Sequence, residues 1–307
     1  MGNNGNGDTP GSQIDFQSGL VGFFDILGYQ QMLLNNDVEK AARLIVEVIA
    51  NIPSEVIDSI GKEQGLVCED DVKTVNYLNQ LWKKILSEEL NWLLFSDTIL
   101  VSLPLNRNDK RLFHATRVLA FLQACAFLQR QMFDRGLPLR GAISFGDFFI
   151  TGTYFAGSPI IESYLASQSL ELSGCVLTKT SETVHSELKD YAVKNEFQSI
   201  LLELDQMCIP YLVPKKSGEL EKHLMINWVN LPMHFFAGMP SDIREYVFST
   251  FVQYNKDVTP SVYPKINNTE TFIRKILQNV KSTPWPIVTT KIDAYVQKVL
   301  SETQIEF

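Results

Sequence analysis

Two aspartates stand inside strongly apolar runs, Asp25 in Phe23-Phe24-Asp25-Ile26-Leu27-Gly28-Tyr29 and Asp97 in Leu94-Phe95-Ser96-Asp97-Thr98-Ile99-Leu100. Each run reads as a strand that must enter a sheet. A carboxylate carried there is costly to bury unless it is paired, hydrogen-bonded or bound to a metal. Any fold of this chain therefore has to bring a partner to both. One account is structural: a strand-end Asp that caps a turn or meets a single Arg. The other is chemical: two carboxylates on separate strands are what a two-metal phosphoryl-transfer site needs, because hard oxygen ligands suit Mg²⁺ or Mn²⁺ and a triphosphate supplies the rest of the shell. Gly28 and Tyr29 follow Asp25 at an expected helix start, where free N–H groups and the helix dipole attract phosphate. A P-loop is excluded, since no GxxxxGK[ST] segment occurs.

The rest of the pattern predicts an α+β fold, with a mixed or antiparallel sheet and helices packed on it. Leu20 to Ile26 reads as a buried strand opening into a helix at Tyr29 to Leu34, and Asp37 caps a second helical stretch. Lys62 to Asp71 reads as a loop and Val72 to Leu86 as a helix. Asn91 to Leu103 is a strand pair with Asp97 inside it, and Arg111 to Phe133 is a helix apolar on most faces. Arg140 to Thr151 reads as two strands around Gly146, Ser158 to Leu172 as a helix, and Cys175 to Thr178 as a strand. Ser199 to Trp228 is read as strand-like, with a turn at Pro214 to Gly218, and Ser241 to Glu302 as mostly helical. The expected division is a disordered tail over residues 1–14, a catalytic domain over 15–230 and a helical C-terminal extension over 231–307.

Charge and cysteines narrow the function. A formal net charge of −8 argues against a general nucleic-acid binder, which needs clustered Lys and Arg. Four scattered cysteines, Cys68, Cys125, Cys175 and Cys208, form no CxxC pair or zinc spacing and read as reduced thiols of a cytoplasmic protein. The Gly- and Asn-rich start, Met1 to Ser12, lacks the apolar core of a signal peptide, and the apolar stretch around Val118 to Leu128 is too short and too interrupted for membrane insertion.

Four motifs in order resemble the class III nucleotidyl cyclases. Phe23 to Tyr29 resembles their first metal motif, and Phe95-Ser96-Asp97 the second metal-Asp hairpin, whose common form is Gly-Asp. Arg140 to Gly146 looks like the following Arg-x-Gly strand, and Gly157 to Tyr164 like the helix start after it. The purine-reading and transition-state set departs from the family. Ile161 and Leu165 stand where the common enzymes carry Asn and Arg, and Leu93 stands in place of the base-selecting Lys. The segments Leu137 to Ile143, Gly157 to Tyr164, Tyr211 to Pro214 and Ile226 to Trp228 resemble the bacterial pyrimidine cyclases of the Pycsar anti-phage system.

The resemblance implies a lyase that makes cyclic UMP or cyclic CMP from UTP or CTP, with pyrophosphate leaving. It also implies a homodimer with active sites at its interface and a separately encoded effector that senses the product. In it, Asp25, Asp97 and the carbonyl of Ile26 would hold two divalent ions, and the amides of Gly28 and Tyr29 would hold the β- and γ-phosphates. Arg140 would supply the compensating positive charge, and Tyr154 would stack on or hydrogen-bond the pyrimidine. Plainer roles are open beside these: Arg140 paired to Asp147 or Glu162, Tyr154 as a partly buried hairpin residue, Glu162 as a helix cap, and Lys215 and Lys216 as a solvated turn. A catalytically silent nucleotide-binding or dimerisation module is the rival reading, motivated by the missing Arg and Asn. A polymerase-like or GGDEF-like enzyme is disfavoured by the absence of a Gly-Gly-Asp/Glu-Glu/Asp-Phe hairpin.

Overall fold

The computed structural model describes residues 16–63, 82–105, 111–152, 154–229, 231 and 240–279. The tail, Cys68, most of the loop read at Lys62 to Asp71 and most of the helix read at Val72 to Leu86 lie outside them.

The strands are β1 (Gln17–Ile26), β2 (Asn91–Phe95), β3 (Thr98–Pro104), β4 (Leu139–Thr151), β5 (Tyr154–Gly157), β6 (Gly174–Leu177), β7 (Cys208–Pro214) and β8 (Leu220–Ile226). They form one sheet in the order β2-β3-β1-β4-β6-β8-β7, with β5 folded onto β4. The β4–β6 pair is parallel and the other pairs are antiparallel. The expected mixed sheet is thus present. Its first four strands follow a split β-α-β plan, β1 and β2 flanking β3 with β4 on the far side of β1.

Helices described here are α1 (Tyr29–Leu34), α2 (Val38–Leu44), α3 (Ile52–Glu63), α4 (Arg111–Asp134), α5 (Ser158–Ser169), α6 (Lys179–Lys194), α7 (Gln198–Met207), α8 (Ile243–Val252) and α9 (Tyr263–Asn279). None is long and apolar enough to cross a membrane. Asp37 caps α2 as expected, its side chain accepting from the Lys40 N–H at 2.8 Å.

The two-residue alternation of β1 divides the interior. Leu20, Phe24 and Ile26 face the main core with α4, whose Val118, Phe121, Cys125 and Leu128 are all buried there. Val21 faces the other way and packs with Leu100, Phe148 and Ile160 of α5. Asp25 shares the parity of Val21 and Phe23 and so belongs to the α5 side, where the Phe23 ring meets Tyr164 edge-on at 5.3 Å. Gly141 lies opposite Phe24 in the β1–β4 ladder, and a Cβ there would sit 2.4 Å from the Phe24 ring and 2.9 Å from the Phe23 carbonyl. The strand that carries Arg140 thus closes tightly on the strand that carries Asp25.

Two expected elements differ. Leu139–Thr151 is a single strand running through Gly146, which pairs with Gly19 across a continuous ladder. The segment Ser199 to Met207, read as strand, is α7: Ile200, Leu204 and Met207 are its buried residues, at helical spacing, and a short apolar run does not distinguish the two periods. The reading also assigned nothing to α6.

The described C-terminal helices join the main core. Ile243, Val247 and Phe251 of α8 and Phe272, Ile273 and Ile276 of α9 belong to its cluster, and the Phe272 ring lies 5.1 Å from Tyr211 and 6.2 Å from Trp228. Between them Lys256 is buried at 5 % exposure, and its ammonium donates to the carbonyls of Gly136 at 2.6 Å and Thr250 at 3.1 Å.

Burial pulls the Lys256 ammonium from 10.5 down to about 7. The unfolded chain keeps that proton up to its ordinary pKa, so between the two values the unfolded state binds more protons and stability rises with pH. From about pH 7 to 9 we expect the unfolding free energy to climb, by at most about 1.4 kcal/mol per pH unit from this group. Lys256→Met should flatten that slope in denaturant melts. Equal slopes in the two proteins would contradict the buried-ammonium account.

Candidate functional site

The end of β1 places Asp25 between two strands, opposite Thr98 of β3 and Arg140 of β4. Arg140 Nη2 donates to Asp25 Oδ2 at 2.6 Å and to Gln168 Oε1 of α5 at 2.8 Å. The pair is enclosed, with side-chain exposures of 7 % for Arg140 and 16 % for Asp25. The Arg140 partner is therefore Asp25 itself and neither Asp147 nor Glu162; Glu162 instead accepts from Thr180 Oγ1 at 3.0 Å. Arg140 Nε is buried and, among the described residues, has no hydrogen-bond partner. A buried donor left open beside a carboxylate fits an anion more readily than a purely structural pair does.

Asp97 arrives from the adjacent hairpin. Ser96 and Asp97 are the two residues linking β2 to β3, and Ser96 adopts φ 55. That left-handed conformation is one that favours Gly, so Ser96 holds it at a cost the surrounding hairpin must meet. The Asp97 carbonyl accepts the Ile26 N–H at 2.9 Å, which locks the hairpin to the end of β1 and leaves the Ile26 carbonyl as the oxygen that residue can offer. The two carboxylates interact: burial raises the Asp25 pKa most, Arg140 opposes it, and the charge of Asp97 raises it further.

Gly28 stands at φ 79 and ψ 12 before the six residues of α1. The Tyr29 side chain is buried, and burial and the charge of Asp97 push its phenol up, so any contact with an anion falls to its amide.

Lys216 lies in the turn expected to be solvated, and it is exposed. The Pro214 to Gly218 turn folds back onto the end of α5, where the Lys216 N–H donates to the Ser169 carbonyl at 2.8 Å. Its ammonium lies within electrostatic reach of Asp25, Arg140, Lys265 and Glu171, and burial followed by Arg140 and Lys265 lowers its pKa. Lys265 is held by Glu171 at 2.5 Å, and Lys215 pairs with Glu221 at 3.2 Å. The exposed turn thus places a cation within electrostatic range of Asp25, the smallest of the influences on that carboxylate. Nothing in the sequence marks this long-range influence, because it depends on how a distant hairpin closes.

Tyr154 is not brought to this site. It is 74 % exposed on β5, paired with Thr151 at the far end of β4. Arg140 and Thr151 are eleven residues apart on that strand, on the order of 35 Å of extended chain. Within one subunit the length of β4 separates Tyr154 from Asp25.

Asp25, Asp97 and the Ile26 carbonyl are hard oxygen donors, and a cation between the carboxylates would relieve the repulsion and the desolvation that raise the Asp25 pKa. Among the described residues no three His, Cys, Asp or Glu side chains converge on one ion position. No protein-family model matches the chain, and no curated protein matches it.

Proposed function

We propose that the chain is a nucleotidyl cyclase of the class III type, acting on UTP or CTP to give the 3′,5′-cyclic nucleotide and pyrophosphate. The observation that carries this reading is the meeting of Asp25 and Asp97 at the β1 end, beside a buried Arg140 with an open Nε. The split β-α-β sheet supports it, because it delivers the two carboxylates from a strand end and the neighbouring hairpin turn. The pyrimidine preference rests on the replaced purine set, Leu93, Ile161 and Leu165.

In this mechanism the ribose 3′-hydroxyl passes its proton to solvent water, its oxygen bonds to the α-phosphorus, and the bond from that phosphorus to the leaving pyrophosphate breaks. Two divalent ions, Mg²⁺ or Mn²⁺, held by Asp25, Asp97 and the Ile26 carbonyl, would lower the pKa of the hydroxyl and neutralise phosphate charge. Arg140 orients Asp25 and offers Nε to a phosphate oxygen, and Lys216 adds a cation on the same side. The amides of Gly28 and Tyr29 take the distal phosphates. Homodimerisation would cover exposed apolar side chains such as Phe95, Ile161 and Leu165, which are 70 %, 62 % and 62 % exposed. The making of a second messenger in bacterial anti-phage defence, read by a cyclic-nucleotide-sensing effector, follows from the same resemblance.

One observation favours nucleotide binding without turnover: Asp25 already carries a guanidinium on one oxygen. Mn²⁺ titration followed by electron paramagnetic resonance, with a non-cyclisable UTP or CTP analogue, tests the metal half of the proposal. It should show two ions per subunit with analogue present, and Asp25→Asn and Asp97→Asn should each weaken binding. Unchanged Mn²⁺ affinity in both variants would remove the two-metal reading.

A further inference from the structure

The short helix after Asp25 is gripped at both ends by one loop from the C-terminal segment. At its start, a Cβ on Gly28 would fall 2.7 Å from Lys256 Cδ, so the Lys256 stem lies directly over the left-handed turn. The Lys256 ammonium is anchored beyond it, on the Gly136 and Thr250 carbonyls. At its end, Asn36 Nδ2 donates to the Tyr254 carbonyl at 2.7 Å. Asn35 Nδ2 donates to the Asn255 carbonyl at 2.7 Å and to Asp257 Oδ2 at 3.0 Å. Asn255 Nδ2 returns a bond to Asn36 Oδ1 at 3.0 Å.

The loop reaches these partners through two successive left-handed residues, Tyr254 at φ 62 and Asn255 at φ 56. Non-glycine residues in that region are strained, and such strain persists where the surroundings enforce it. A helix of six residues cannot hold itself in water, so its place must come from packing and from these ends. A buried ammonium satisfied by carbonyls is also a poor choice merely to fill space, since an apolar side chain would avoid the desolvation.

We infer that Lys256 is a positioning residue for the proposed reaction: with the 253–257 loop it fixes the Ile26–Gly28 turn, which makes the C-terminal segment part of the site's construction. The inference rests on the cyclase reading for its catalytic consequence and on the geometry alone for the clamp.

Hydrogen exchange and kinetics on the full chain test the two parts separately. In Lys256→Met, amides of residues 28–34 should exchange at least about tenfold faster, while those of 121–128 in α4 keep their rates. The KM for the nucleotide that the wild-type protein cyclises, with Mn²⁺, should rise about tenfold with kcat held within about threefold. Asn36→Ala releases the other end at a partly buried position, and its exchange should change in the same segment by a smaller factor; it decides the matter if Lys256→Met does not fold. Unchanged exchange over 28–34, or acceleration spread equally into α4, overturns the clamp. Faster exchange with an unchanged KM overturns the positioning role. If the wild-type protein cyclises no nucleotide, the cyclase reading fails and the positioning role with it, while the exchange arm still decides whether the clamp exists.

Discussion

Asp97→Asn should lose at least about 10³-fold in cyclisation while its melting temperature stays within about 2 °C of wild type. Asp25→Asn should lose as much activity and, in addition, about 2 kcal/mol of stability. The asymmetry follows from where the two carboxylates sit. Asp97 is half-buried in a two-residue turn, and its structural bond to Ile26 is made by its backbone carbonyl, which Asn keeps. Asp25 faces a guanidinium that is 7 % exposed, and removing its charge strands that cation in the interior. At about 2.1 cal/mol/K per residue, that loss in a chain of 307 residues corresponds to a fall of roughly 3 °C. Thermal melts beside product assays check both halves. An Asp97→Asn protein with near-normal turnover would show that the hairpin carboxylate only caps its turn.

Arg140→Met is expected to be both inactive and destabilised, by about 2–4 kcal/mol, because the carboxylate of Asp25 is left in a desolvated position with only the weaker influence of Lys216 opposing burial. The double variant Asp25→Leu with Arg140→Met should recover most of that stability and remain inactive. A buried ion pair replaced as a unit by apolar residues is commonly neutral or stabilising, whereas halving it is not. The cycle should therefore give a coupling of at least about 2 kcal/mol between the sites. Recovery of stability without activity would mean that the pair is kept for chemistry. Additive losses in the double variant would mean that the two side chains do not depend on each other, against the 2.6 Å contact.

What was legible beforehand follows local physics. The apolar runs around Asp25 and Asp97 announced strands, Gly28 announced the end of the first, and the Asp37 cap was readable from residue type alone. The Ser199 to Met207 helix was misread because a run so short contains too few turns to show its period. The site's long-range parts were not legible. Arg140 meets Asp25 across 115 residues through a strand register that composition does not specify, and Lys216 comes within electrostatic range of them because the β7–β8 turn folds onto α5. The distance of Tyr154 from Asp25 is likewise not legible in the sequence, because it depends on β4 running unbroken for thirteen residues. The loop that clamps α1 was invisible for the same reason, since Asn36 and Tyr254 lie 218 residues apart.

The most direct test is product analysis with each of the four nucleoside triphosphates and Mn²⁺, separating cyclic from linear nucleotides by chromatography and mass spectrometry. The account predicts a 3′,5′-cyclic nucleotide from UTP or CTP, one pyrophosphate per cyclisation, and none of either from Asp97→Asn. No cyclic product from any triphosphate, under conditions where a control cyclase turns over, would contradict it.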